Sequence, residues 1–151
     1  MPIAGGLLAV AELAGATGCT ASAHTAQAEA PTATAVPKHP TESLAPLFRQ
    51  ALPNVRGKTF TSAIVDFPPG ARAMPHRHGA AFVYAYVLEG TVRSKLDGTP
   101  VRTYHQGENW VERPGAHHVL TENTSRTERA ELLVIFVSDT GDRLKVDDPR
   151  R

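Results

Sequence analysis

Cysteine is nearly absent: Cys19 stands alone among 151 residues. No internal disulfide can form, and a cysteine-rich zinc site is excluded. An excess of either charge is also missing. The chain carries 16 Lys and Arg against 15 Asp and Glu, a formal net charge of +1. Nucleic-acid-binding domains gather basic residues on one face, and nothing here suggests such a partner. Long apolar runs are lacking, since the run over residues 3–11 is too short to span a bilayer. No Ser-His-Asp order, phosphate loop or nucleotide fingerprint occurs. No stretch reads convincingly as a long helix.

Glycine and proline, 12 of each, fall between short apolar runs, a pattern that favours turns and short strands. Residues 1–40 differ from the rest. They form an Ala/Thr/Gly-rich leader that passes into an Ala/Thr/Pro linker carrying no chemistry. Within the leader, Ala16-Thr17-Gly18-Cys19 resembles a bacterial lipoprotein cleavage box, with Ala16 where leucine is usual. Ala21-Ser22-Ala23 and Ala26-Gln27-Ala28 are alternative small-x-small cleavage sites. The basic start of a signal is missing, because the first basic residue is Lys38. The expectation is an exported protein of the periplasm or outer cell envelope, touching a membrane only through a lipid anchor at Cys19. The alternative is a cytoplasmic protein with a plain disordered tail.

Residues 41–57 are an N-terminal arm, either a short helix or a segment packed on a neighbouring sheet. Residues 58–138 hold about eight short strands with turns every eight to twelve residues. A sandwich or a barrel satisfies such a pattern. Residues 139–151 are a polar C-terminal tail, expected to be loose. The strongest strand, residues 81–89, is apolar on both faces: Val83, Ala85 and Val87 on one, Phe82, Tyr84, Tyr86 and Leu88 on the other. Both faces need cover. One can line a barrel, and the other needs an arm or a second subunit, so a homodimer is expected.

His76 and His78 lie two residues apart just before that strand. Residues i and i+2 of an extended segment point the same way, so two imidazoles can grip one ion without a helix. His117 and His118 follow another apolar strand and a Pro-Gly turn. A chain folded back on itself could bring the two sources together.

These residues resemble the two motifs of the cupin superfamily. The first motif is Gly, five residues, HxH, a glutamate and a closing Gly, matched by Gly70, His76, His78 and Gly90. The second is Gly, five residues, PxG, two residues, His, three residues, Asn. It is matched by Gly107, the Arg113-Pro114-Gly115 stretch and His118. The resemblance covers roughly residues 58–137. It implies an all-β, cupin-type double-stranded β-helix, a jelly-roll barrel, often dimeric and holding a metal inside. Three positions depart from the pattern. Val83 replaces the motif glutamate, a metal ligand in many cupins. Arg113 replaces the first proline. Glu122 takes the final asparagine position, with Asn123 one residue further.

Carried over by register, the metal ligands are His76, His78 and His118, binding one divalent transition metal ion. Imidazole suits Fe, Mn, Ni, Cu and Zn, with Fe or Mn favoured here. Three nitrogens on one side leave open positions for water or substrate. Cupins with three-histidine sites include thiol and diketone dioxygenases. His117, pointing away from His118, is expected to cap the rim or bond a neighbour. Glu112 is the candidate catalytic residue. Facing inward, it could be a fourth ligand, hold a histidine N–H or act as a general base. An outward salt bridge to Arg113 or Arg77 is the expectation over direct ligation. Tyr84 and Tyr86 read as sheet packing, Trp110 as core or pocket wall, and Ser94 as a small polar group inside the barrel. Arg77 should point outward and His105 should be exposed. His24 and His39 lie in the linker.

The reading is a metal-binding single-domain cupin acting on a small molecule, as a mononuclear non-haem oxidoreductase of dioxygenase type if it is an enzyme. The alternative is a non-catalytic small-ligand or metal-binding module.

Overall fold

A computed structural model describes residues 39–149. The leader, its cleavage sites and Cys19 lie outside the described residues. The described chain is all-β, with ten strands. In order they are β1 Ser43–Ala51, β2 Lys58–Phe67, β3 His76–Arg77, β4 Phe82–Glu89 and β5 Thr91–Leu96, then β6 Arg102–His105, β7 Asn109–Glu112, β8 His117–Asn123, β9 Ala130–Asp139 and β10 Val146–Asp147.

The strands form two antiparallel five-stranded sheets, ordered β1-β2-β9-β4-β7 and β10-β3-β8-β5-β6. Successive strands repeatedly cross between the sheets, which gives the expected double-stranded β-helix. The residues read as an arm fold as β1, paired along β2, so the helix alternative is not realised. Two strands more than the sequence suggested come from β1 and β10.

Period-two alternation decides which side chains enter the barrel. On β2, β4 and β9 buried and half-buried residues alternate. Val65, Phe67, Val83, Ala85, Val87, Leu132, Val134 and Phe136 are these strands' main contribution to the apolar core, which Val92 and Trp110 also join. Gly90 marks the closest backbone approach. Its φ is +74°, and a Cβ there would lie 2.5 Å from the Arg129 carbonyl oxygen, so the tight β4–β5 corner admits only glycine.

The opposite sheet carries a bulge. Ser94 pairs with Thr121 and Lys95 with Leu120, but Leu96 pairs with His118. One residue of β8 is therefore extra, and it absorbs the displaced motif asparagine. Asn123, rather than Glu122, does the structural work. It is buried, its Nδ2 donates to the carbonyls of Phe67, Pro68 and Glu128, and its Oδ1 accepts from Ser125 N–H. Glu122 instead points to the flank, where Arg72 and Arg93 each reach one of its oxygens.

The tail expected to be loose is tied down over its described part. β10 pairs with β3, Val146 against Arg77 and Asp147 against His76. Asp148 N–H donates to the Pro75 carbonyl at 2.8 Å. The tail is polar, yet β3 offers it an unpaired backbone edge, and such an edge is satisfied by adding a strand.

Candidate metal centre

β3 and β8 are neighbours, and His76 and His118 are direct cross-strand partners. His78 follows β3 in an extended segment and so faces the same way as His76. The turn carrying Pro114-Gly115 bonds back to the same place, with Gly115 N–H donating to the Gly79 carbonyl at 2.8 Å. The two histidine sources are thus locked together by backbone. All three rings are buried, and one nitrogen from each lies within 4.8 Å of the others. An ion bonding nitrogens at about 2.0–2.1 Å holds ligands on one side of it roughly 3–3.4 Å apart, so the trio stands more open than a bound ion would hold it.

Two of the rings have their donors settled by backbone carbonyls. His76 Nδ1 lies 2.7 Å from the Met74 carbonyl, and His78 Nδ1 bonds the Leu144 carbonyl. A carbonyl only accepts, so each Nδ1 carries the proton and each Nε2 keeps its lone pair free. Burial holds His76 down to about 4, against the opposing Met74 bond. Burial likewise lowers His78, although the Glu112 carboxylate pulls the other way. Both rings are therefore neutral near neutral pH, the form that binds metal.

His118 is held differently. Its Nε2 lies 2.8 Å from Ser94 Oγ and 2.7 Å from Thr121 Oγ1, and its Nδ1 lies 3.0 Å from Glu112 Oε1. Ser94 is inside the barrel, as read from its register. Thr121 is there because the β8 bulge turns it to the same side as His118. The one-residue offset of Asn123 was the sequence signal for that bulge.

Glu112 corrects the expected outward salt bridge. The residue is 3% exposed and faces the histidines, because alternation along β7 puts Trp110 and Glu112 inward together. Trp110 Nε1 donates to its Oε1 at 3.2 Å. Its Oε2 lies 3.7 Å from His78 Nε2 and is the only buried side-chain polar atom without a hydrogen-bond partner among the described residues. Arg77, outward as expected, donates to the Gly115 carbonyl instead. Burial pushes the Glu112 carboxyl up, but the His118 hydrogen bond, the electrostatic pull of the facing His118 and His78 imidazoles and the Trp110 hydrogen bond more than offset this and leave it lowered.

The donor set fits a cation. A buried carboxylate faces two imidazoles kept neutral and a third ring whose nitrogens both meet acceptor-capable groups. One carboxylate oxygen has no donor at all. A buried carboxylate oxygen without a donor is costly, and a divalent ion among these four residues would remove that cost.

The cavity beside them measures about 50 Å³, room for a few waters or a very small molecule. Val65, Phe67, Val83, Ala85, Val134 and Phe136 give it an apolar wall, and Lys145 and Glu42 stand at its edge. Lys145 Nζ lies 2.6 Å from both Glu42 Oε1 and Asp147 Oδ1. His117 turns away from the cavity, its Nε2 2.8 Å from Asp148 Oδ2. His105 is exposed. Leu144, Lys145 and Asp148 were not visible as site residues in the sequence, and no local pattern marks them.

Comparison with known proteins agrees with this architecture. Residues 63–136 match the family described as Cupin domain, Cupin_2. No curated protein matches the chain. Among solved structures, the DMSP lyase DddQ of Ruegeria pomeroyi is similar over 70% of this chain and 51% of its own, with 21% identity and a TM-score of 0.58. A recombinant oxalate oxidase in complex with glycolate is similar over 75% and 57%, with 22% identity and a TM-score of 0.57. The Cnp3 cupin domain of Schizosaccharomyces pombe is similar over 66% and 62%, with 19% identity and a TM-score of 0.54. The chain spans less than two thirds of each of these three, and likeness at such identity speaks for the fold alone. With the barrel, the motif register and the family match in agreement, this chain belongs to the cupin superfamily.

Proposed function

We propose that the protein binds one divalent transition metal ion through His76, His78 and His118 and uses it on a small molecule. The observation that carries this reading is the free Nε2 of His76 and of His78, each ring fixed by a backbone carbonyl on its far side. Metal-binding histidines are typically held in this way. All-nitrogen donors with a carboxylate close by suit Fe or Mn as well as Ni, Cu and Zn, so cellular supply selects among them.

Such an ion supplies Lewis-acid and redox chemistry. The chain's own residues do the rest. Phe67, Val83 and Phe136 exclude water from one side. Glu112 brings a carboxylate oxygen that has no other partner to the side of the bound ion and molecule. We assign the protein to mononuclear non-haem oxidoreductases of dioxygenase type. Oxygen uptake by the iron-loaded protein, measured with a panel of small thiols, diketones and phenols, tests this. Turnover of one class supports it. Metal-loaded protein that turns over none leaves the second reading, a non-catalytic metal or small-ligand module. That reading is favoured by the cavity edge, where Lys145 is already paired with two carboxylates rather than left to hold an anionic substrate.

We further propose that the protein is a homodimer through the outer face of the β1-β2-β9-β4-β7 sheet. Phe60, Val137 and Phe82 form one cross-strand row there, and Ile135, Tyr84 and Val111 another. Phe82 and Val111 are exposed. Contiguous apolar surface on a flat sheet marks an interface. A second copy presents the same face, so a two-fold arrangement is self-complementary.

A further inference from the structure

The motif carboxylate is lost at Val83, yet the cavity contains a carboxylate. β4 and β7 are adjacent antiparallel strands, and Val83 and Glu112 are direct cross-strand partners. Directly opposed residues share a face, with Cβ atoms about 4.5–5.5 Å apart. Both are buried, Val83 at 1% and Glu112 at 3% exposed. A glutamate side chain spans such a separation, so a carboxylate from either strand can reach the same volume. Glu112 reaches it from the edge strand, with Trp110 Nε1 steadying Oε1 at 3.2 Å and Oε2 left without a partner. That free oxygen lies 3.7 Å from His78 Nε2, the nitrogen that keeps its lone pair.

We propose that Glu112 is the fourth protein ligand of the metal, a carboxylate moved from its motif position on β4 to the facing position on β7. The inference rests on the three-histidine reading above. Glu112 Oε2 binds the ion directly, and Oε1 stays with the Trp110 indole. A positioning role alone, with Oε1 holding His118 Nδ1–H, would use one oxygen and strand the other in an apolar wall. Ligation uses both. The site then carries three neutral donors and one negative charge, and selects divalent ions over monovalent ones.

Cobalt(II) is the probe, because its visible spectrum reports the ligand set. Wild type, Glu112→Gln and His76→Ala are titrated with cobalt, and the wild-type cobalt complex is crystallised. Glu112→Gln is expected to bind cobalt at least about tenfold more weakly with a shifted visible spectrum. The wild-type complex is expected to place one Glu112 oxygen about 2.0–2.2 Å from the ion. Glu112→Gln binding within threefold of wild type with an unchanged spectrum overturns the proposal. So does a wild-type complex with both Glu112 oxygens beyond bonding distance, a result that does not depend on any variant folding. If wild type takes up no cobalt, or His76→Ala takes up as much as wild type, the three-histidine reading itself fails, which is a separate outcome.

Discussion

Val83 and Glu112 face each other across adjacent antiparallel strands and are both buried in the barrel. One is the apolar residue where the cupin motif has a carboxylate, and the other is the carboxylate. The pairing makes a swap informative. Val83→Glu with Glu112→Gln restores the motif arrangement, and it is expected to recover most of the metal affinity that Glu112→Gln alone loses. Isothermal titration of the two variants checks this. A double variant no tighter than the single one would mean that the two positions are not equivalent.

The C-terminal strap is part of the site. Leu144 bonds His78 through its carbonyl, β10 pairs with β3, and Asp148 holds both Pro75 and His117. Ending the chain at Asp142 removes all of these contacts. His78 is then free to turn, and metal affinity is expected to fall about 10–100-fold, as is usual when a ligand loses its orienting partner. Unchanged affinity in the truncated protein would show that β3 positions His78 alone.

Glu122 gives a pH-dependent contribution. Burial pushes its carboxyl up, but the hydrogen bonds and charges of Arg72 and Arg93 outweigh this and hold it below its ordinary 4.5. A lowered carboxylate stabilises the fold fully above the unfolded value, and the contribution is lost as pH falls through the folded value. Glu122→Gln should cost roughly 1.5–3 kcal/mol near neutral pH. The gap between variant and wild type should shrink on acidification below about 4.5. Urea unfolding of the metal-free proteins at several pH values measures it, and a gap that stays constant with pH contradicts the account.

The dimer assignment predicts a charge-sensitive sheet face. Ile135 is half-buried at the centre of the outer rows, paired with Ser62 on one side and Tyr84 on the other. Ile135→Glu should convert a dimer into a monomer with little effect on metal content, as read by light scattering on the eluted peak. A monomeric wild type would overturn the assignment.

Much of the fold was legible because alternation is local. The phases of β2, β4 and β9 follow from their own apolar residues, and the histidine register follows from motif spacing. Glu112 was harder. Its side was ambiguous in a four-residue strand with Arg113 next to it, and its nearness to Val83 depends on how β7 pairs with β4. Nothing within either strand encodes that pairing. The strap was illegible for a similar reason. Val146–Asp147 is too short to show periodicity, and it becomes a strand only because β3 presents a free edge. The bulge in β8 was signalled indirectly, by Asn123 lying one residue late.

Metal content tests the central claim most directly. The protein is purified without a histidine tag, and its bound metal is quantified beside that of His76→Ala/His78→Ala. The account predicts one transition metal ion per wild-type chain and essentially none in the double variant. Equal metal in the two proteins, or none in wild type after exposure to Fe, Mn, Co and Zn, would contradict it.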